Sequence, residues 1–128
     1  MLLLNKEAVM AMHKEIIFSS GGSCEVRDIE LLESALAAPN QSFDDDEFYP
    51  TVEEKAARLA YGLIKNHAFV DGNKRIGTVA MLVMLKLNNI EIKYSEDSLF
   101  NIIMNVADDR AGYEDIYEWI VVARDASK

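Results

Sequence analysis

Cysteine, proline and glycine are scarce in this sequence, which has one cysteine, two prolines and six glycines among 128 residues. Because Cys24 is alone, the protein cannot form an internal disulfide, and a single thiol does not make a metal site. We interpret Cys24 as a free structural thiol. The chain also contains no low-complexity linker and no internal repeat. A single domain over residues 1–128 is therefore expected.

Long apolar runs are missing as well. No run approaches the ~20 residues that a membrane span needs, and the apolar residues 1–4 are too few for the core of a signal peptide. We therefore expect a cytoplasmic protein without membrane contact. Half of the residues are hydrophobic and 27% are charged, which is the balance of an ordinary globular protein.

Positive charge is in deficit. Thirteen Lys and Arg against 22 Asp and Glu give a formal net charge of −9, which opposes tight binding to a polyanion. We expect no direct nucleic-acid binding. Residues 1–64 carry 12 acids and 5 bases, whereas residues 65–128 carry 10 acids and 8 bases. An anion-binding site is therefore expected to be local and to lie in the second half of the chain.

Apolar residues recur at helical spacing along most of the chain and predict an all-α fold of about six helices. Start and stop signals place five of them at about 5–20, 28–38, 51–66, 95–106 and 113–126. Asn5 and Ser95 are expected N-caps, and Thr51 with Glu54 is expected to form a capping box. The remaining helix carries an apolar stripe over residues 76–87 and is expected to be central and buried on nearly all faces.

Three further expectations concern structure outside this central helix. The segment 40–50 has Phe43 and Phe48 on either side of an acidic run, which favours a short β-hairpin or flap. In the second helix, three residues are expected to share the inner face: Ile29, Leu32 and Leu36. In the first helix, His13 has no evident partner and is interpreted as structural.

The segment His67–Gly77, which reads HAFVDGNKRIG, holds the densest group of reactive side chains in the chain. Gly72 and Asn73 permit a left-handed turn, so that consecutive backbone amides converge just before a helix. A helix N-terminus binds anions through its free N–H groups and its dipole. Lys74 and Arg75 oppose that dipole in the first turn, and a phosphate bound there would explain them.

Two more side chains of this segment suit catalysis. A carboxylate at Asp71 can hold Mg²⁺ against a bound phosphate, and His67 can take a proton from an incoming hydroxyl. Taken singly, these residues have ordinary structural interpretations, namely a helix cap for His67 and a turn for Asp71. Their joint spacing with the two cations favours the functional interpretation. Phe69 is instead expected to be a core anchor that fixes the loop.

The sequence HAFVDGNKR closely resembles the signature of the Fic/Doc family, and specifically its death-on-curing (Doc) branch. Fic members typically read His-x-Phe-x-Asp/Glu-Gly-Asn-Gly-Arg with a second Arg three positions later, and Doc-like members have Lys at the second glycine. In this chain Lys74 stands at that glycine and Thr78 at the second Arg. Ala68 departs from the Pro of many relatives but removes no chemical group. The resemblance covers roughly residues 5–120 and implies a compact helical Fic/Doc-like fold.

The resemblance also implies a functional set within this loop and the cofactors ATP and Mg²⁺. The set consists of a general base, a metal ligand, a backbone anion cradle and two phosphate-binding cations: His67, Asp71, Gly72 with Asn73, and Lys74 with Arg75. Doc-like members bind ATP with the γ-phosphate facing the histidine and phosphorylate a threonine of elongation factor Tu. The hypothesis is therefore a Doc-type toxin that is a protein Ser/Thr kinase and halts translation.

Two alternatives stay open, namely a Fic-type AMP transferase and a catalytically silent module that binds a phosphate or a partner. Thr78 argues against the first, because AMP-transferring members typically hold the outer phosphates with the second Arg. The chain also lacks the Ser/Thr-x-x-x-Glu-Gly/Asn helix with which some Fic relatives inhibit themselves. The resemblance therefore implies that an antitoxin, a separate protein with a helical segment that docks on the toxin, inhibits this chain.

Overall fold

The computed structural model describes all 128 residues. It contains six α-helices: α1 Lys6–Ser20, α2 Ile29–Ala37, α3 Val52–Lys65, α4 Asn73–Leu87, α5 Glu96–Ala107 and α6 Tyr113–Ala126. A 3₁₀ turn, Ala38–Asn40, follows α2, and the strands β1 Ser42–Phe43 and β2 Asp46–Glu47 form an antiparallel hairpin before α3. The predicted all-α class with one short hairpin is thus confirmed. No helix combines the length and the apolar character that crossing a membrane requires.

The predicted start signals operate as expected. The side chains of Asn5 and Ser95 accept backbone N–H groups in the first turns of α1 and α5. Thr51 and Glu54 form the predicted capping box at the start of α3. These caps satisfy N–H groups that have no partner within the helix, and they fix where each helix begins.

Helices α3 and α4 pack against each other at the centre of the fold, and the other helices surround this pair. A glycine makes the close approach possible: a Cβ added at Gly77 of α4 would lie 2.7 Å from Cγ1 of Ile64 in α3. Ile76 and Met84 of α4 are fully buried, as predicted. The prediction of burial on nearly all faces fails at the end of the helix, where Leu87 is 44% exposed.

The inner face of α2 differs from the prediction at one residue. Leu32 is buried and Leu36 is partly buried, but Ile29 is 42% exposed. Ile29 is the first residue of α2, directly after the Asp28 cap, and it is not among the residues that pack against the core. Ala35 is buried instead, because it packs against Gly62 of α3.

The hairpin is held to the body of the protein by a buried lysine. Lys55 of α3 is 2% exposed, and its Nζ donates hydrogen bonds to the Pro39 carbonyl at 2.9 Å and to Glu47 Oε1 at 2.8 Å. The two hairpin aromatics, Phe43 and Phe48, point into solvent rather than into the core. The sequence pattern therefore located the hairpin correctly but gave no indication of its anchor.

Candidate active site

The predicted reactive segment connects the two central helices, with its loop at residues 66–72. Ala68 and Phe69 are buried, whereas His67 and Asp71 are exposed. The expected role of Phe69 as a core anchor is confirmed, since its ring is 2% exposed. The loop therefore holds its reactive side chains at the surface and its apolar side chains in the core.

The side chain of Asn73 stabilises this loop from within. Its Oδ1 accepts the Phe69 backbone N–H at 3.1 Å, and its Nδ2 donates to the Phe69 carbonyl at 3.0 Å. Both bonds are buried, where hydrogen bonds are electrostatically stronger than in water. The amide of Asn73 is therefore occupied within the loop, which leaves its backbone as the part able to meet an anion.

A second loop, residues 21–28 between α1 and α2, pairs with the reactive loop, and we call it the pairing loop. Val26 forms an antiparallel bridge with Phe69, and the Val70 N–H donates to the Glu25 carbonyl at 3.1 Å. Sequence reasoning missed this contact, because neither loop carries a periodic pattern that would indicate pairing. The reactive loop is thus held along its length by a segment that lies 39 to 48 residues earlier in the chain.

Arg27 of the pairing loop holds the backbone at His67. Its Nε donates to the His67 carbonyl at 2.7 Å, and its second guanidinium nitrogen donates to the Asn66 carbonyl at 3.2 Å. His67 has a positive φ of 50°, a conformation that L-residues adopt infrequently. The guanidinium therefore satisfies carbonyls at the end of α3 and keeps His67 in this left-handed conformation.

Asp71 contacts the pairing loop through its side chain. Its Oδ2 accepts the backbone N–H of Ser23 at 2.7 Å. Gly22 lies directly against the same carboxylate, and a Cβ at Gly22 would be 3.1 Å from Oδ2. Asp71 is the only carboxylate of the loop, and no group of three or more His, Cys, Asp or Glu side chains gathers anywhere in the structure to form a metal site made of protein ligands alone.

The backbone of Asp71 is held by His13, which the sequence left without a partner. The His13 Nε2 lies 2.7 Å from the Asp71 carbonyl oxygen, and the imidazole stacks on the Phe69 ring with centroids 3.7 Å apart. The interpretation of His13 as a structural residue is retained, but the expectation that it has no partner is wrong. The two residues are 58 positions apart, and local sequence patterns carry no signal for such a contact.

Both predicted cations lie in the first turn of α4. Gly72 precedes the helix with a φ of 78°, and this turn contains no acidic residue. Lys74 and Arg75 are exposed, and the Arg75 guanidinium contacts the Ser20 hydroxyl at the end of α1. Thr78, one turn later, donates from Oγ1 to the Lys74 carbonyl at 2.8 Å. The positive helix terminus and two cations thus offer a site for a phosphate group.

A groove of about 640 Å³ adjoins these cations, and we call it the α1/α4/α5 groove. Lys74, Arg75 and Thr78 line it, and Phe100 of α5 is 64% exposed within it. The other apolar side chains that line it come from the same three helices: Ile16, Val79, Leu99, Ile103 and Met104. Glu15 and Glu96 also line the groove, which therefore combines an apolar surface with charges of both signs.

Two comparisons with known proteins bear on this site. The Fic/DOC family model matches residues 3–85, a range that includes α1, α2, α3 and the whole reactive loop. Toxin Doc of Mycolicibacterium smegmatis (strain ATCC 700084 / mc(2)155) is 40% identical over 72 residues, which is 56% of this chain and 55% of that protein. The chain therefore spans about half the length of this curated relative.

Proposed function

The chain belongs to the Fic/DOC family, and from this membership we propose that it is a Doc-type toxin that acts as a protein kinase. In this proposal it transfers the γ-phosphoryl group of Mg-ATP to a Ser or Thr hydroxyl of a host translation factor. Elongation factor Tu is the expected target, and its modification halts translation. The toxin assignment is supported by the identity to Toxin Doc.

The observation that favours phosphoryl transfer over AMP transfer is the identity of two residues, Lys74 and Thr78. Both line the α1/α4/α5 groove and lie one turn apart at the start of α4. By resemblance, AMP-transferring relatives have Gly and Arg at these two positions. Thr78 cannot replace that Arg, because its hydroxyl carries no charge and bonds to the Lys74 carbonyl. The outer phosphates therefore lack the second guanidinium, and Lys74 supplies a charge elsewhere in the site.

His67 is the proposed general base. It is exposed at the end of α3, and Arg27 fixes its backbone, so the imidazole is available to a hydroxyl on a protein surface. In the proposed step His67 accepts the hydroxyl proton while the oxygen bonds to the γ-phosphorus, and the bond to the ADP oxygen breaks. Phosphoryl transfer depends mainly on positioning and charge neutralisation, which a site of this composition can supply.

Asp71 is the proposed Mg²⁺ ligand. Mg²⁺ commonly takes one or two protein carboxylates and completes its shell with phosphate oxygens and water, which fits a loop with one exposed carboxylate. The Ser23 N–H occupies Oδ2 and orients the side chain. When bound, the metal would neutralise charge on the phosphates of ATP.

The proposed phosphate cradle is the start of α4. The left-handed Gly72 opens the helix, and the free backbone amides of its first turn point toward the preceding loop. Lys74 and Arg75 add charge beside these amides. Arg75 also contacts the Ser20 hydroxyl, so that α1 limits where its guanidinium lies.

The α1/α4/α5 groove is the proposed docking place of an antitoxin helix. An exposed Phe100 and the apolar side chains around it suit an amphipathic helix that lays its apolar face into a groove. Because Lys74 and Arg75 line the same groove, a helix bound there would also cover the phosphate site. Ordering such a segment costs a few kcal/mol, which the buried apolar contacts must exceed.

The decisive experiment is parallel labelling of purified elongation factor Tu with γ-labelled and α-labelled ATP in the presence of Mg²⁺. Incorporation of the γ-label alone is expected. Incorporation of the α-label would show that the chain is an AMP transferase and not a kinase. If neither label is incorporated but Mg-ATP binds, the chain is a silent binding module.

Two variants test the assigned roles in the same assay. His67→Ala is expected to lose transfer by about 10²- to 10⁴-fold with the fold retained, because an exposed base contributes to rate and little to the core. Asp71→Asn is expected to raise the Mg²⁺ concentration that transfer requires. Superimposable metal titrations of this variant and the parent protein would remove Asp71 from metal binding.

A further inference from the structure

We propose that His13, which lies outside the reactive loop, is a positioning residue for the phosphate cradle. This inference rests on the proposed function only in that the cradle binds the phosphates of a nucleotide. The structural basis is that a buried imidazole on α1 donates a hydrogen bond to the peptide joining Asp71 to Gly72, and stacks on the ring that anchors the same loop.

The direction of this hydrogen bond follows from the partner. A backbone carbonyl oxygen only accepts hydrogen bonds. The His13 Nε2 therefore carries a hydrogen and donates a hydrogen bond to the Asp71 oxygen, 2.7 Å away. His13 is 1% exposed. The bond itself is part-buried, so solvent has little access to this donor, and loss of the donor would leave the Asp71 carbonyl without its protein partner.

The hydrogen bond determines where the next N–H points. The chain contains no cis peptide bond. In a planar trans peptide the carbonyl oxygen and the amide hydrogen point in opposite directions. Since the Asp71 carbonyl points toward the buried imidazole, the Gly72 N–H points away from His13 and from the core. His13 thereby orients one amide at the start of α4 toward the side where an anion would bind.

The imidazole also limits the path of the backbone at Gly72. A Cβ at Gly72 would lie 3.4 Å from the His13 Nε2 and 3.1 Å from Cδ1 of Ile17. The left-handed turn is thus seated directly on two side chains of α1. Stacking on Phe69 in turn fixes the imidazole plane, with an angle of 14° between the two rings. One side chain therefore holds both the anchor of the loop and the turn that opens α4.

A purely structural role would predict that ring shape alone matters. The donor and the ring can be separated by substitution. His13→Phe keeps an aromatic ring that can stack on Phe69 but has no donor, whereas His13→Gln loses the ring but places an amide N–H near the position of Nε2. Val9→Ala is the control for simple loss of packing, since Val9 is fully buried on the same helix.

The test measures Mg-ATP binding by calorimetry and transfer with both labels, each corrected for the folded fraction. We expect kcat/KM for Mg-ATP to fall by about 10- to 100-fold in His13→Phe, the scale seen when a supporting hydrogen bond behind a site is removed. His13→Gln is expected to recover at least part of this loss, although it is the less stable variant. KM for the protein target should remain that of the parent, and Val9→Ala should lower the melting temperature without changing kcat/KM.

Parent-level kcat/KM in folded His13→Phe, or a loss in His13→Gln as large as that in His13→Phe, would overturn the inference. A switch from the γ-label to the α-label would refute the kinase proposal and leave the test of His13 intact, because both chemistries need the cradle. If neither label is transferred, the affinities for Mg-ATP measured by calorimetry allow the same comparison of the His13 variants with the parent protein. Nitrogen NMR of the parent protein needs no variant: a His13 protonated on Nε2 is expected, and a neutral ring protonated only on Nδ1 would refute the proposed donor.

Discussion

The Oδ2 atom of Asp71 accepts a hydrogen bond from the backbone N–H of Ser23, whose nitrogen lies 2.7 Å away. The preceding residue, Gly22, has a φ of 110° and lies against the same carboxylate. A side chain at Gly22 would therefore be strained by the backbone conformation and would also press on the proposed metal ligand. These two effects can be separated, because Gly21 shares the first effect and not the second.

We predict that Gly22→Ala impairs Mg²⁺-dependent transfer more than Gly21→Ala does. Both glycines have positive φ, a conformation that costs a residue with a side chain about 1–3 kcal/mol, so both variants should lose stability for this reason. A Cβ at Gly22 would lie 3.1 Å from Asp71 Oδ2, whereas a Cβ at Gly21 has nothing within 4 Å. Melting temperatures should fall by similar amounts in the two variants, while transfer should fall about tenfold further in Gly22→Ala. Equal transfer in the two would show that the contact with Asp71 has no functional effect.

Whether a feature of the structure could be predicted from the sequence depends on how far apart in the chain the interacting residues lie. The helices were predicted because apolar spacing and caps such as Thr51 with Glu54 act within a few residues. The reactive loop was predicted because its residues are contiguous. The supports of that loop were missed, because His13 and Arg27 act across 58 and 40 residues and carry no local signature.

The buried Lys55 illustrates the same limit for the fold. A lysine in an amphipathic helix is ordinarily assigned to the solvated face. Here it is buried because the Pro39 carbonyl and the Glu47 carboxylate converge on its ammonium group. Only the folded path of residues 39–47 brings these oxygens together. Composition and spacing could locate the hairpin, but they could not predict the charge that holds it.

The second prediction concerns Arg27, whose guanidinium holds the His67 backbone. Arg27→Ala is expected to lower transfer by about 10- to 100-fold, since misplacement of a reacting group by about 1 Å has an effect of this size. The loss of unfolding free energy should be about 1 kcal/mol, the net contribution of a typical hydrogen bond, because the side chain is exposed. Arg27→Lys should recover little activity, since a lysine cannot bond the two carbonyls of Asn66 and His67 with a fixed fork.

The exposed Arg110 provides the matched control for Arg27, because it is a surface arginine outside both loops. Arg110→Ala should leave transfer at the parent level. The comparison uses initial rates of labelling together with chemical denaturation of each variant. If Arg27→Ala transfers at the parent rate, then the left-handed conformation of His67 is maintained without the guanidinium, and Arg27 has no role in positioning the base.

The third prediction concerns the proposed antitoxin and the exposed Phe100. Expression of this chain alone should arrest growth, and co-expression with the neighbouring small reading frame should restore it. Phe100→Asp is expected to prevent that rescue, because loss of a central aromatic residue commonly weakens binding by about 2 kcal/mol or more. Phe43→Asp is the control, since Phe43 is equally exposed but lies on the hairpin, outside the groove. Full rescue of the Phe100 variant would place the antitoxin on another surface.

The fourth prediction is that Lys74 determines which phosphorus of ATP is transferred. A lysine carries a point charge on a flexible stem, so it can follow the γ-phosphate as charge develops, whereas a backbone amide is fixed. Lys74→Gly should therefore lose about 10²-fold or more of γ-transfer, the scale seen when one preorganised donor is removed. If the nucleotide then binds in the reversed orientation, weak AMP transfer appears despite Thr78.

The control for Lys74→Gly is Lys86→Gly, which replaces another exposed lysine of α4 and so measures the cost of a glycine in this helix. Parallel γ- and α-labelling of the target measures both activities, and full γ-transfer by Lys74→Gly would refute the role of Lys74 while leaving family membership unaffected.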